Sequence, residues 1–270
     1  MHEAAFVALG LPHTYEAVRA TAAEVAGHVA ALRAGIYDGL NVTLPHKELA
    51  LSLADDADPL ARSVGAANTL TRAPDGTVRA FNTDAPAVAD ELRRLAPERG
   101  PRWAGQTVLV LGAGGAALAA VCACAAELEV ARVVVRSRRF ARPEVAAAFS
   151  RELGGRLGPR VELLVGPLVA SPALEARVAA VIQATSAGLH GDEGEEPAGA
   201  VAWGALPVSA VALDLVYARE ATPFMRAARS HSLRAADGCG VLVGQGARAL
   251  ELWLGQPAPR AAMAGAAAAP

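Results

Sequence analysis

The chain has 270 residues, 53% of them hydrophobic but only 4% aromatic, with 25 Lys and Arg against 27 Asp and Glu for a formal net charge of -2. That balance gives no electrostatic footprint for nucleic acid, and no apolar run approaches the roughly 20 residues that span a bilayer. The opening MHEAAFVALG has neither a basic n-region nor a long apolar h-region. The expectation is a cytoplasmic protein with cores of Ala, Val and Leu.

In chain order, a helix pattern occupies 2–9, without a Ser, Thr, Asp or Asn before it as a cap. A strand is expected at 13–18, a helix at 22–33, and short strands around 36–42, 67–72 and 77–81. These make a small α/β domain, expected over 1–95. The stretch APERGPRWAG (96–105) is rich in Pro, Gly and Arg and reads as a boundary. Beyond it, the apolar runs TVLVL (107–111), VVV (133–135), VELLV (161–165), AAVIQ (179–183) and VALDL (211–215) are separated mostly by Ala-rich or amphipathic segments. Buried strands alternating with helices predict a doubly wound parallel sheet of the Rossmann type over 104–237. The acidic HGDEGEEPAG (190–199) reads as a solvated loop. A further helix pattern starts at 240, and the low-complexity tail 261–270 is expected to be disordered.

Three cysteines make no disulfide framework. Cys122 and Cys124 fall on one helix pattern, and residues two apart on a helix point about 200° apart, so they read as small buried residues. No metal site is expected.

The run VLVLGAGGAALAA passes from strand to helix through Gly112, Ala113, Gly114, Gly115, Ala116 and Ala117, which matches G-x-G-x-x-A in the context it requires. The first glycine permits the tight turn, the second lets backbone approach a pyrophosphate, and the small last residue lets helix and strand pack closely. Free amides at the helix start favour the anion. NAD binding calls for an acid about 20 residues on, to hold the ribose 2′-hydroxyl. Here that place holds Arg136, Ser137, Arg138 and Arg139. Guanidinium groups suit a 2′-phosphate, so the cofactor expected is NADP.

Three islands remain in the first domain: NVTLPHKE (41–48), GAANTL (65–70) and FNTD (81–84). Each lies at the end or start of a strand-like run and carries Asn or Thr, good partners for a polyhydroxylated ligand. Lys47 and Asp84 could serve as an acid/base pair, although a surface lysine and a helix-capping aspartate would account for them as well.

The order of NVTLPHKE, GAANTL, FNTD, GAGGAA, ATSAGL (184–189), DLVY (214–217), TPF (222–224) and GCGVLVGQGARALELW (238–253) resembles the shikimate dehydrogenase family over nearly the whole chain. The resemblance implies that Lys47 and Asp84 are the catalytic pair. It implies substrate contacts from Thr43, Asn68, Asp84, Tyr217 and Gln245, and cofactor contacts that include Thr185 and Gly238. It also implies that the helix over 240–260 packs back onto the first domain, and that Pro45 stiffens the turn presenting Lys47. His46 receives no role. The implied activity is reversible reduction of 3-dehydroshikimate to shikimate with NADPH, a step of chorismate and hence aromatic amino acid biosynthesis, by a monomer or homodimer.

This sequence departs from the family pattern in places. The usual Asn-Arg-Thr after the second strand is Arg136-Ser137-Arg138, and Asn-Ala-Thr-Ser is Gln183-Ala184-Thr185-Ser186. His2, Phe6 and Gly10-Leu11 match the family as if Met1 stood inside its pattern, so the first strand and its Ser-x-Ser-Pro island are expected to be missing. Two alternatives stay open: a quinate/shikimate dehydrogenase using NAD, and a nucleotide-binding relative of low activity with an incomplete substrate site.

Overall fold

A computed structural model describes all residues except 97–102, 158, 188–194, 218–219 and 269–270. The chain divides into two compact units, one of residues 1–87 with 242–270 and one of 88–241. The expected boundary at 96–105 lies mostly outside the described residues.

The first unit opens with α1 (His2–Leu9) and α2 (Ala22–Arg33). Its next elements are β1 (Gly39–Asn41), α3 (Lys47–Leu53), β2 (Asp56–Ala57) and α4 (Pro59–Val64). After these come β3 (Thr69–Arg72), β4 (Val78–Phe81) and the start of α5 (Asp84–Leu95). No side chain caps α1, whereas Thr21 and Glu24 cap α2 reciprocally. The four strands lie in the order β1-β3-β4-β2. Val25, Val29 and Leu32 of α2 pack on Leu70, Val78 and Ala80 of this sheet.

Residues 13–18 do not form the expected strand. A strand persists only where a neighbour satisfies its N–H and C=O groups. Here β1 is the edge of the sheet and, among the described residues, pairs with β3 alone. A cavity of about 1330 Å³ lies against β1 instead, lined in part by Tyr15, Val18, Ile36, Tyr37 and Leu44.

The second unit holds β5 (Thr107–Leu111), α6 (Gly115–Cys122), β6 (Arg132–Arg136), α7 (Pro143–Leu157), β7 (Glu162–Gly166) and α8 (Pro172–Glu175). It continues with β8 (Val178–Gln183), α9 (Glu195–Gly199), β9 (Val211–Asp214), α10 (Pro223–Ser230) and β10 (Arg234–Ala236). All six strands pair in parallel in the order β10-β9-β8-β5-β6-β7. This is the doubly wound Rossmann order, whose direction reverses between β5 and β8. Every residue of β5 and β8 is buried, which explains their continuous apolar runs. Cys122 and Cys124 are buried as well, and burial pushes the Cys122 thiol up to about 11.

The chain closes with α11 (Cys239–Leu254) and α12 (Arg260–Ala268). The tail expected to be disordered is thus helical through 268. Alanine is the best helix former, and Met263 anchors the helix in a core with Ala5, Phe6, Ala247 and Leu250. Trp253 of α11 donates to the Leu70 carbonyl at 3.0 Å, which ties that end of the helix to β3.

Candidate functional site

In the first unit, the polar residues of the three islands gather where two helices begin. Lys47 is the first residue of α3 and Asp84 the first of α5. The Ala67 amide donates to the Lys47 carbonyl at 2.9 Å, fixing the backbone from which that side chain leaves. Asn82 accepts from the Ala85 amide and donates to the Ala66 carbonyl, so it holds the start of α5 in place. Pro45 precedes them in a cis peptide, and His46 reaches the Ala20 carbonyl through Nε2 at 2.9 Å.

The Lys47 Nζ lies 2.8 Å from Asp84 Oδ2, with side chains only 21% and 19% exposed. The other carboxylate oxygen of Asp84 accepts from Asn68 Nδ2 at 2.9 Å. Asn68 is buried, and its Nδ2 also faces Thr83 Oγ1 at 2.9 Å and Gln245 Oε1 at 3.3 Å. Its Oδ1 accepts from the Thr83 amide at 2.8 Å. Lys47, Asp84, Asn68 and Gln245 therefore form one connected polar cluster. Thr43 is exposed and joins it through no hydrogen bond; its carbonyl accepts from the His46 amide, and it lines the cavity beside β1. Thr83 is a member that the sequence reading did not single out, although it stands beside Asp84 in FNTD.

In the second unit, the glycine turn lies at the end of β5, beside the reversal of strand order. Gly112 has φ +127°, and a Cβ there would meet the Ala184 carbonyl oxygen at 2.6 Å, so only glycine is tolerated. Gly114 faces open space, Ala117 is buried, and Gly115 opens α6. Ala113, Gly115 and Ala116 stay partly or fully exposed. Gln183, at the end of β8, accepts from the Thr185 amide and donates to the Ala187 carbonyl, so this buried side chain shapes the loop carrying Thr185. Gly238 packs its Cα against the Leu215 carbonyl with no room for a Cβ.

The basic cluster after β6 divides in two. Arg136 is buried, its Nη1 2.7 Å from Glu175 Oε1 and 3.3 Å from the Ala200 carbonyl. Burial alone would raise the Glu175 carboxyl, but hydrogen bonds from Arg136 and from the Ser171 and Ala202 amides outweigh it and hold the group below the usual range. Arg136, expected among the phosphate-binding residues, thus has its charge met by Glu175 and its guanidinium enclosed. Ser137 is buried too and accepts from the Arg139 amide through Oγ. Arg138 and Arg139 remain exposed on the turn that follows.

Tyr217 is 52% exposed and follows Asp214, which is buried and accepts from the Val216 amide and the Thr222 hydroxyl. Burial pushes the Asp214 carboxyl from 3.8 up to about 6, against these hydrogen bonds and with help from Asp237. The folded state therefore binds the extra proton between those values. The contribution of Asp214 to stability should fall as pH rises through that window, by on the order of 3 kcal/mol, and change no further above it. Asp214→Asn should lose that dependence, so its unfolding midpoint in urea should gain on wild type between pH 4.5 and pH 7.5. An unchanged difference at the two pH values would refute it.

Residues 1–70 match the family model described as the shikimate dehydrogenase substrate binding domain, and residues 238–267 match the shikimate 5'-dehydrogenase C-terminal domain. The shikimate dehydrogenase (NADP(+)) of Methylobacterium radiotolerans is 39% identical over 251 residues, covering 93% of this chain and 84% of its own. Among solved structures, the shikimate 5-dehydrogenase of Thermus thermophilus in complex with NADP(H) and shikimate superposes with a TM-score of 0.78 at 32% identity, covering 98% of this chain and 91% of its own. The ligand-free 5-ketofructose reductase of a Gluconobacter strain superposes with a TM-score of 0.85 at 27% identity, covering 98% and 90%.

Proposed function

The chain belongs to the shikimate dehydrogenase family, and on that premise we propose that Lys47 and Asp84 perform the proton half of a reversible reduction of 3-dehydroshikimate to shikimate. The enzyme is an NADP-dependent oxidoreductase of aromatic biosynthesis. The observation that carries the assignment is the 2.8 Å contact between Lys47 and Asp84, joined to Asn68 and Gln245 in one cluster.

A bound NADPH would supply the hydride. As the substrate carbonyl gains it, negative charge develops on the oxygen, and an ammonium within hydrogen-bond reach stabilises that charge and gives up a proton to it. Asp84 aims the Lys47 ammonium. The amides of Asn68 and Gln245 offer both donors and acceptors to the remaining hydroxyls. In the reverse direction Lys47 takes the proton from the alcohol. For the cofactor, the cradle at Gly112, the open space at Gly114 and the free amides of α6 suit a pyrophosphate. Arg138 and Arg139 suit the 2′-phosphate, and Thr185 and Gly238 would add cofactor contacts from the loops after β8 and β10 of the same unit. Thr43 and Tyr217 would contact substrate from exposed positions. No helix among the described residues is long and apolar enough to cross a membrane. The proposed enzyme acts in the cytoplasm, as a monomer or homodimer.

Initial rates with shikimate and quinate, each with NADP and NAD, test the proposal. Shikimate with NADP should give the highest kcat/KM; a higher value for quinate with NAD would replace this reading with the other dehydrogenase of the family. The match to 5-ketofructose reductase favours one further candidate, another polyhydroxylated ketone, and 5-ketofructose with NADPH in the same assay decides it.

A further inference from the structure

Arg138 stands on the exposed turn after β6, but its guanidinium is already engaged. Its Nη1 lies 3.1 Å from Oε2 of Glu196, with the side chains 77% and 51% exposed. Glu196 sits in α9, in the acidic stretch that reads from sequence as solvated loop; residues 190–194 of that stretch lie outside the described residues. We propose that Glu196 is a specificity-determining residue for the cofactor: by holding Arg138, it weakens binding of a nucleotide that carries a 2′-phosphate and leaves binding of one without it unchanged. The inference rests on the reading of Arg138 as a 2′-phosphate ligand.

A phosphate monoester carries a charge of about -1.5 to -2 at neutral pH, and it must either displace the Glu196 carboxylate from Arg138 or share the guanidinium with it. Sharing brings two anions close together around one cation. The ribose 2′-hydroxyl of NAD carries no charge and meets neither cost. Glu196 thus opposes the preference that the arginines create. Both side chains are more than half exposed, which keeps the pair weak, so the expected effect is about 2–5-fold in affinity.

The test is a cycle of four proteins, wild type, E196Q, R138A and the double variant, with Kd for NADP and for NAD measured by calorimetry at low ionic strength. E196Q should tighten NADP about 2–5-fold and leave NAD unchanged, and the gain should shrink at high salt. R138A should weaken NADP more than NAD, and most of the E196Q gain should vanish in its background. The inference is overturned if E196Q leaves NADP affinity unchanged, if it tightens NAD equally, or if the full gain persists without Arg138. The arms also separate the inference from its premise. Should R138A leave NADP affinity untouched, the 2′-phosphate reading falls and the inference with it. Should R138A weaken NADP while E196Q changes nothing, the inference alone falls.

Discussion

Lys47→Ala should lower kcat by about 10²–10⁴-fold, the range set by a positioned general acid, while NADPH binding and the folded state persist. The structure explains why the two effects separate. Lys47 is the first residue of α3, where alanine is easily accepted, and its backbone carbonyl still receives the Ala67 amide. Asp84 keeps its hydrogen bond from Asn68. The lost ion pair is partly exposed, so its contribution to stability should be no more than about 1 kcal/mol. Steady-state rates with shikimate and NADP, a thermal melt and an NADPH titration check all three parts. A variant that kept more than about a tenth of wild-type kcat, a barrier change below about 1.4 kcal/mol, would remove Lys47 from the chemistry.

Arg136→Ala should act on stability rather than on the cofactor. It leaves Glu175 buried, with two backbone amides but no cation. Breaking a buried pair by removing one partner costs about 3–5 kcal/mol. The same substitution should leave the ratio of KM values for NADP and NAD as it was. Urea unfolding of the variant, followed by cofactor kinetics under conditions where it is folded, separates the two readings. A loss of stability below about 1 kcal/mol, together with a raised KM for NADP alone, would return Arg136 to the phosphate site.

These two residues mark what was and was not legible in the sequence. The partnership of Lys47 and Asp84, 37 positions apart, was legible through the family resemblance that the islands around them carry; the residues alone left a surface lysine and a capping aspartate open. Each island ends or begins a strand, and β1, β3 and β4 are neighbours in the sheet. The glycine turn was equally legible because its chemistry is local: strand, turn and helix are consecutive. Arg136 was not. Whether a residue at a strand end faces solvent depends on what packs over it, and Glu175 lies 39 positions away on a four-residue helix.

The errors in secondary structure have similar physical causes. Residues 13–18 carry a strand-like pattern, but strand pairing is non-local, and among the described residues β1 pairs only with β3. The short elements α3, α4, β2 and β10 are set by tertiary contacts, with too few residues for periodicity to register. The alanine-rich tail read as low complexity, yet high helix propensity and one buried methionine suffice to order it through 268.

The central claim is that Lys47 meets the reacting oxygen of the substrate, and the most direct measurement is a crystal structure of the protein with shikimate bound. The reacting hydroxyl should lie within about 2.6–3.2 Å of Lys47 Nζ, with the neighbouring hydroxyls on Asp84, Asn68 and Gln245. Shikimate seated instead in the cavity beside β1, or turned so that its carboxylate meets Lys47, would contradict the account.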